Sequence, residues 1–62
     1  NSDKDFTRFL RISLGSLHEV VAGLYLAKDL KYLNEKDFQN LYDFTHKLSA
    51  MILAFIRKLN EK

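Results

Sequence analysis

Few residues in this sequence have the types and spacing that catalysis requires. His18 and Glu19 begin the H-E-x-x-H pattern with which a helix binds zinc in metalloproteases, but Ala22 occupies the position of the second histidine. Asp43 and His46 have the carboxylate-x-x-His spacing of di-iron helical bundles, where the pair is repeated and joined by further glutamates. Helical spacing places both on a polar face here, which indicates a solvated surface pair. We therefore predict no metal site and no cofactor.

Covalent catalysis and phosphate binding also lack their usual residues. The sequence has no Cys, and its two Gly do not form a glycine-rich loop. Ser13, Ser16 and Ser49 fall on apolar packing faces without a neighbouring base. We predict that the protein is not an enzyme.

A basic stripe on the first helix is the candidate nucleic-acid contact. Lys4, Arg8 and Arg11, with His18 below them, share one polar face that contains no acid. Such a stripe could meet phosphates, although a solvated face that keeps a helical bundle soluble is the commoner case. No aromatic residue is interleaved with these bases, as a platform for single-stranded nucleic acid would require.

Glu19 lies at the edge of the apolar arc of the first helix, with Ile12 and Leu26 on the same face. One interpretation is an ion pair or hydrogen bond to a neighbouring helix. The other is a glutamate whose carboxylate reaches water. The residues alone leave both open.

Length and composition indicate one small folded domain over residues 1–62. The chain is 47% hydrophobic and 29% charged with a net charge of +2, whereas disordered chains combine few apolar residues with high net charge. The lack of Cys is compatible with a reducing cytoplasm, where we expect the protein to be. The longest apolar run, Ala50–Ile56, has seven residues, against about 20 for a membrane span, so we expect no membrane segment.

The pattern of caps predicts an all-α antiparallel helical hairpin with helices at about 3–31 and 35–60. Ser2 is a suitable N-cap for the first helix, and no Pro interrupts it. The turn falls at Tyr32–Asn34, where Asn34 caps the second helix. Leu33 and Phe38 then form a hydrophobic staple across that cap.

The apolar arc of each helix is about twice as wide as one neighbour needs. Each helix therefore requires two neighbours, and a hairpin supplies one. We predict self-association into a four-helix bundle, or a place as half of a longer four-helix bundle protein. Gly15 and Gly23 permit close approach of a neighbouring backbone, or are merely tolerated. The second helix has a heptad seam at Phe38, Leu41, Thr45, Leu48, Ile52, Phe55 and Leu59. The residues predicted to pack in the oligomer are Phe9, Ser13, Ser16, Val20, Gly23, Leu48, Ile52 and Phe55.

The segment Arg8–Glu19 resembles a signature of a bacterial protein family. It reads F-L-x-I-[AS]-x-G-S-x-x-E, followed by spaced leucine and alanine residues and a short turn around Tyr32-Leu33. The chain is similar to the four-helix bundle proteins encoded in intervening sequences of 23S ribosomal RNA genes. Lys47-Leu48, Met51-Ile52 and the segment 56–59 look like the last helix of that family. The chain thus resembles the third and fourth helices, and family members are about twice as long.

The resemblance implies an architecture and a class of partner. Family members form up-down four-helix bundles that assemble into ring-like pentamers, so we expect a homo-oligomer: a dimer of hairpins, or a pentamer for a full-length member. One relative, the accessory variability determinant of diversity-generating retroelements, engages nucleic acid and a reverse transcriptase. Association with RNA or a ribonucleoprotein is therefore the leading function that the resemblance implies. The alternative is a purely structural protein-interaction module.

Overall fold

The computed structural model describes residues 2–61 and contains two α-helices, α1 (Ser2–Asp29) and α2 (Glu35–Asn60). The helices pack antiparallel, with Phe6 near the start of α1 against Phe55 near the end of α2. The hairpin is long and thin, at 45 × 15 × 9 Å. This arrangement confirms the predicted all-α hairpin, and the described residues contain no strand.

Backbone hydrogen bonds hold the turn between the helices where it leaves the C-terminus of α1. The Tyr32 N–H donates to the Ala27 carbonyl at 2.8 Å, and the Lys31 N–H donates to the Lys28 carbonyl at 3.0 Å. Together they form a Schellman motif, whose left-handed position is taken by Lys31 with φ of 68°. This motif ends α1 at Asp29, two residues earlier than the caps in the sequence predict.

The second end of the turn is the N-terminus of α2. The Asp37 N–H donates to Asn34 Oδ1 at 2.7 Å, which confirms the predicted cap. Glu35 and Asp37 place negative charge in the first turn of α2, where the helix dipole favours it. Across the turn, Lys28 Nζ lies 3.8 Å from Glu35 Oε2, and because the glutamate is exposed to solvent this ion pair contributes little to stability.

The interior of the hairpin is thin. Among residues 2–61, the buried hydrophobic residues are Leu10 of α1 and Phe38 and Ile56 of α2, and the buried polar residue is Thr45. The Thr45 hydroxyl donates to the Tyr42 carbonyl at 2.8 Å, so it enters the interior without an unpaired group. No described side chain reaches full burial, below 2% exposure.

The buried positions of α2 depart from the predicted heptad seam at Leu41, which is exposed, and again near the C-terminal end. Ile56 is 3% exposed, whereas Phe55, which the seam includes, is 46% exposed. A straight helix drifts by about 20° per heptad, so a seven-residue repeat turns away from a flat neighbour. Phe38 and Ile56 are eighteen residues apart, about five turns at 3.6 residues per turn, and therefore face the same way.

Candidate functional site

The hairpin has two different flanks, one on each side of the plane that contains both helix axes. Helical geometry places Tyr25 and His18 of α1 on the same flank as Tyr42 and His46 of α2. The other flank is apolar, and there the rings of Phe6 and Phe55 meet edge to face at 5.4 Å. We call the first the aromatic flank and the second the apolar flank.

A groove on the aromatic flank brings the two histidines of the chain to one place. It has a volume of about 440 Å³ and lies between the helices. Its lining residues are His18, Val21, Tyr42, Thr45, His46, Ser49 and Leu53. The histidines are far apart in the sequence, and the antiparallel register of the hairpin brings them to the same height. We call this feature the aromatic groove.

Aromatic rings continue from the groove towards the turn. The rings of Tyr42 and His46 are parallel within 7°, with centroids 6.5 Å apart. Tyr42 also stacks on Phe38 at 5.9 Å and meets Tyr25 edge to face at 6.1 Å. Lys28 Nζ lies 4.4 Å from the Phe38 ring centroid, in a cation–π contact. Contacts with neighbouring side chains therefore hold the row of rings in place at the end near the turn. At its other end the row finishes with the exposed imidazole of His46.

The predicted basic stripe borders this groove. Arg8 and Arg11 are exposed on α1, and Lys4 lies one turn further towards the N-terminus. His18 belongs both to the stripe and to the groove lining. The sequence indicated no aromatic residue among these bases, since Tyr42 and His46 come from α2. Their four-residue spacing was the signal available in the sequence, whereas the register that brings them beside His18 was not.

The apolar flank exposes large side chains of both helices. Phe9 is 60% exposed, Phe44 64% and Met51 68%. Val20 and Phe55 are exposed on the same flank, whereas the predicted packing residues Leu48 and Ile52 are half-buried between the helices.

Small residues on the apolar flank leave room for a neighbouring helix. The Ser13 hydroxyl donates to the Phe9 carbonyl at 3.0 Å, and the Ser16 hydroxyl donates to the Ile12 carbonyl at 3.2 Å. Since both hydroxyls bond to their own helix, these serines present little free polarity. A Cβ added at Gly23 would meet nothing within 4 Å. The hairpin itself therefore does not supply the close backbone neighbour that the glycine spacing suggests.

Glu19 is exposed at the far edge of the apolar arc of α1. Glu19 takes no part in the ion pair between Lys28 and Glu35. The hairpin therefore does not supply the basic partner that one interpretation of Glu19 requires.

Two of the residues considered for metal binding, Asp43 and His46, each contact another side chain of α2. The Gln39 side-chain amide donates to Asp43 Oδ1 at 2.9 Å, while the His46 ring lies along Tyr42. The part of the chain that the structure describes has no group of three or more His, Asp or Glu side chains placed to hold a metal ion.

Comparison with known protein families matches residues 1–54 to the 23S rRNA-intervening sequence protein family. These residues include all of α1, the signature segment Arg8–Glu19 and α2 up to Ala54. This chain belongs to the 23S rRNA-intervening sequence protein family. No curated protein and no solved structure gives a significant match.

This member of the 23S rRNA-intervening sequence protein family has more accessible surface than its mass requires. The accessible area is 5064 Å² for a 7.3 kDa chain. A compact monomer of this mass exposes about 4,200 Å² by the usual scaling of area with mass. The excess of about 900 Å² is close to the roughly 800 Å² that each partner buries in a standard protein interface.

One helix of this family member also has the length and apolar composition of a membrane span. Among the described residues, α1 meets that test, and 6% of its most apolar 18-residue window is buried in the hairpin. The expectation of no membrane segment rested on uninterrupted apolar runs, and Arg11 and Glu19 interrupt the apolar residues of α1. A helix whose outer face is covered by another protein surface has the same composition, so the test alone does not make α1 a membrane span.

Proposed function

We propose that the protein is a non-enzymatic assembly module of the cytoplasm, whose hairpins pair into a four-helix bundle that associates with ribosomal RNA or a ribonucleoprotein. The single observation that supports pairing is the continuous apolar flank, with an area excess that matches one side of a standard interface. The family name supports the choice of ribosomal RNA.

A two-fold axis parallel to the helices gives the pairing that fits these residues best. It lays α1 of one copy on α2 of the second copy, so that all neighbouring helices run antiparallel and their dipoles oppose. Such an axis leaves every residue at its own height along the bundle. The contact of Tyr25 with Phe38 then sets Glu19 near the height of Phe44 of the second copy.

Charge complementarity at the edge of this pairing involves Glu19. Lys47 follows Phe44 by about one turn and lies on the outer edge of the apolar flank of α2. Glu19 and Lys47 of the second copy therefore lie about one turn apart in height, which two long side chains can span, at positions like those that flank the seam of a coiled coil. The two-fold axis makes this ion pair occur twice in each dimer.

Solution mass and charge exchange test the pairing. We expect light scattering over a concentration series to give the mass of two chains or more, with high helicity by circular dichroism. Glu19→Lys alone and Lys47→Glu alone should weaken the association, and the double variant should restore it. Lys36→Glu makes the same charge change in the first turn of α2 and is the matched control.

Three results would contradict the pairing or its geometry. A fully helical monomer at every concentration would mean that the hairpin does not self-associate. If the charge changes at residues 19 and 47 leave the association unchanged, the helices pair in a different way. Flotation of the chain with phospholipid vesicles, with no defined mass in buffer, would mean that lipid covers the apolar flank.

The resemblance adds a relation to longer family members. We propose that this hairpin corresponds to the third and fourth helices of their bundle, with a second copy in place of the first two helices. A poorly helical or aggregating monomer would instead indicate that another segment must cover the apolar flank.

RNA association is supported by the family and by the basic stripe of Lys4, Arg8 and Arg11. We expect affinity for structured ribosomal RNA to fall steeply with salt, because phosphate contacts release counterions. Arg8→Glu combined with Arg11→Glu should abolish most of that affinity. The net charge of +2 favours the alternative of a purely structural module, which absence of binding even at low salt would establish.

A further inference from the structure

We infer that the aromatic groove binds a single unstacked RNA base by stacking, with the basic stripe holding the adjoining phosphates. This inference rests on the proposed RNA association and names the part of the RNA and the residues involved. The groove lies on the flank opposite the apolar one. It therefore stays open when two hairpins pair in the proposed bundle.

Parallel rings supply the stacking surface. Tyr42 and His46 share one ring orientation within 7°, so a flat base laid on one ring is also parallel to the other. Tyr42 is half-buried and held by Phe38 and Tyr25, whereas His46 is exposed. A fixed ring beside an accessible ring loses little side-chain freedom when a base stacks on it.

Positive charge lies on one approach to the groove, along α1. His18 lines the groove from α1, and Arg11 lies about two turns away on the same face of that helix. Asp43 is the acid next to Tyr42 in the sequence, and its carboxylate accepts a hydrogen bond from Gln39. The basic stripe thus leads from the N-terminal end of α1 to the groove, in the manner of a charged track beside a stacking platform.

The other residues that line the groove indicate low specificity for the identity of the base. Val21 and Leu53 offer apolar contact, while Ser49 and His18 can hydrogen-bond to the edge of a base. Every base has a face that stacks, so such a platform tolerates sequence. We expect the ligand to be an unpaired nucleotide in a loop, bulge or strand end, because a paired base does not expose its face.

The experiment compares two RNA probes and matched variants of the full chain. The probes are a single-stranded oligouridylate and a fully paired RNA duplex of equal length, each titrated at low and moderate salt. Tyr42→Leu should lower affinity for the single strand about tenfold, and Tyr42→Phe should retain it. Tyr32→Leu makes the same change at the turn, on a side chain that is 81% exposed, and is the control. Circular dichroism checks that each variant keeps its helicity.

The possible outcomes distinguish base binding in the groove from the broader proposal of RNA association. Loss with Tyr42→Leu, retention with Tyr42→Phe and Tyr32→Leu, and shifted His46 ring resonances on adding the oligouridylate support the groove. If the single strand binds equally to all three variants, or if only the duplex binds, RNA association stands and the groove is wrong. If neither probe nor structured ribosomal RNA binds at low salt, the proposed RNA association fails and the groove inference fails with it.

Discussion

Lys31 is a residue whose backbone conformation conflicts with its type. Its φ of 68° lies in the left-handed region, which costs residues with a Cβ roughly 1–2 kcal/mol. Glycine is the usual residue at this position of a Schellman motif because it has no Cβ. The absence of glycine here explains why the sequence did not indicate the end of α1 at Asp29.

Lys31→Gly should therefore stabilise the hairpin. We expect the free energy of unfolding to rise by about 1 kcal/mol, measured by urea or thermal denaturation at fixed protein concentration. Lys31→Ala removes the same long side chain but keeps the Cβ, so it should give no such gain. Equal gains from both variants would mean that the lysine side chain, and not the backbone, is unfavourable.

Asn34 has the corresponding role at the start of α2. Asn34→Ala removes the oxygen that accepts the Asp37 N–H, and we expect a loss of about 1 kcal/mol in the free energy of unfolding. Asn34→Asp keeps an acceptor in place and should retain most of the stability. Equal stability of Asn34→Ala and the parent chain would show that the bond at 2.7 Å contributes nothing.

The helices could be predicted from the sequence more completely than the groove between them. Caps and apolar spacing predicted both helices and the turn because they are local signals. Ile56 is buried in place of the predicted Phe55 because α2 is straight. The heptad pattern alone did not show that the helix would be straight. The aromatic groove required the register between helices, since His18 and His46 meet only when the hairpin closes.

The whole molecule should depend on its own concentration for stability. The described part of the hairpin buries three hydrophobic side chains and so has little interior, which means that pairing must supply much of the stabilisation. We expect the midpoint of thermal unfolding to rise by about 5 °C for each tenfold increase in concentration, if two chains unfold together. A midpoint independent of concentration would indicate a stable monomer.

Alanine substitutions at Gly15 and Gly23 distinguish the stability of the helix from the assembly of the whole molecule. A Cβ at either position meets nothing within 4 Å in the hairpin, so alanine at each should favour the helix by about 1 kcal/mol. Helical spacing places Gly23 on the apolar flank, beside Val20, and Gly15 towards the polar side. In the proposed bundle, a methyl group at residue 23 meets the second copy, while one at residue 15 meets water.

Gly15→Ala should therefore raise helicity and leave the dissociation constant of the assembly unchanged or lower. Gly23→Ala should raise the helicity of dilute monomer and weaken association about tenfold, because a close helix contact does not accept the extra methyl without a shift. Analytical ultracentrifugation with circular dichroism at matched concentrations measures both quantities. If both variants associate as the parent chain does, the second copy does not approach α1 closely at Gly23. The small residues of that flank would then be tolerated rather than required.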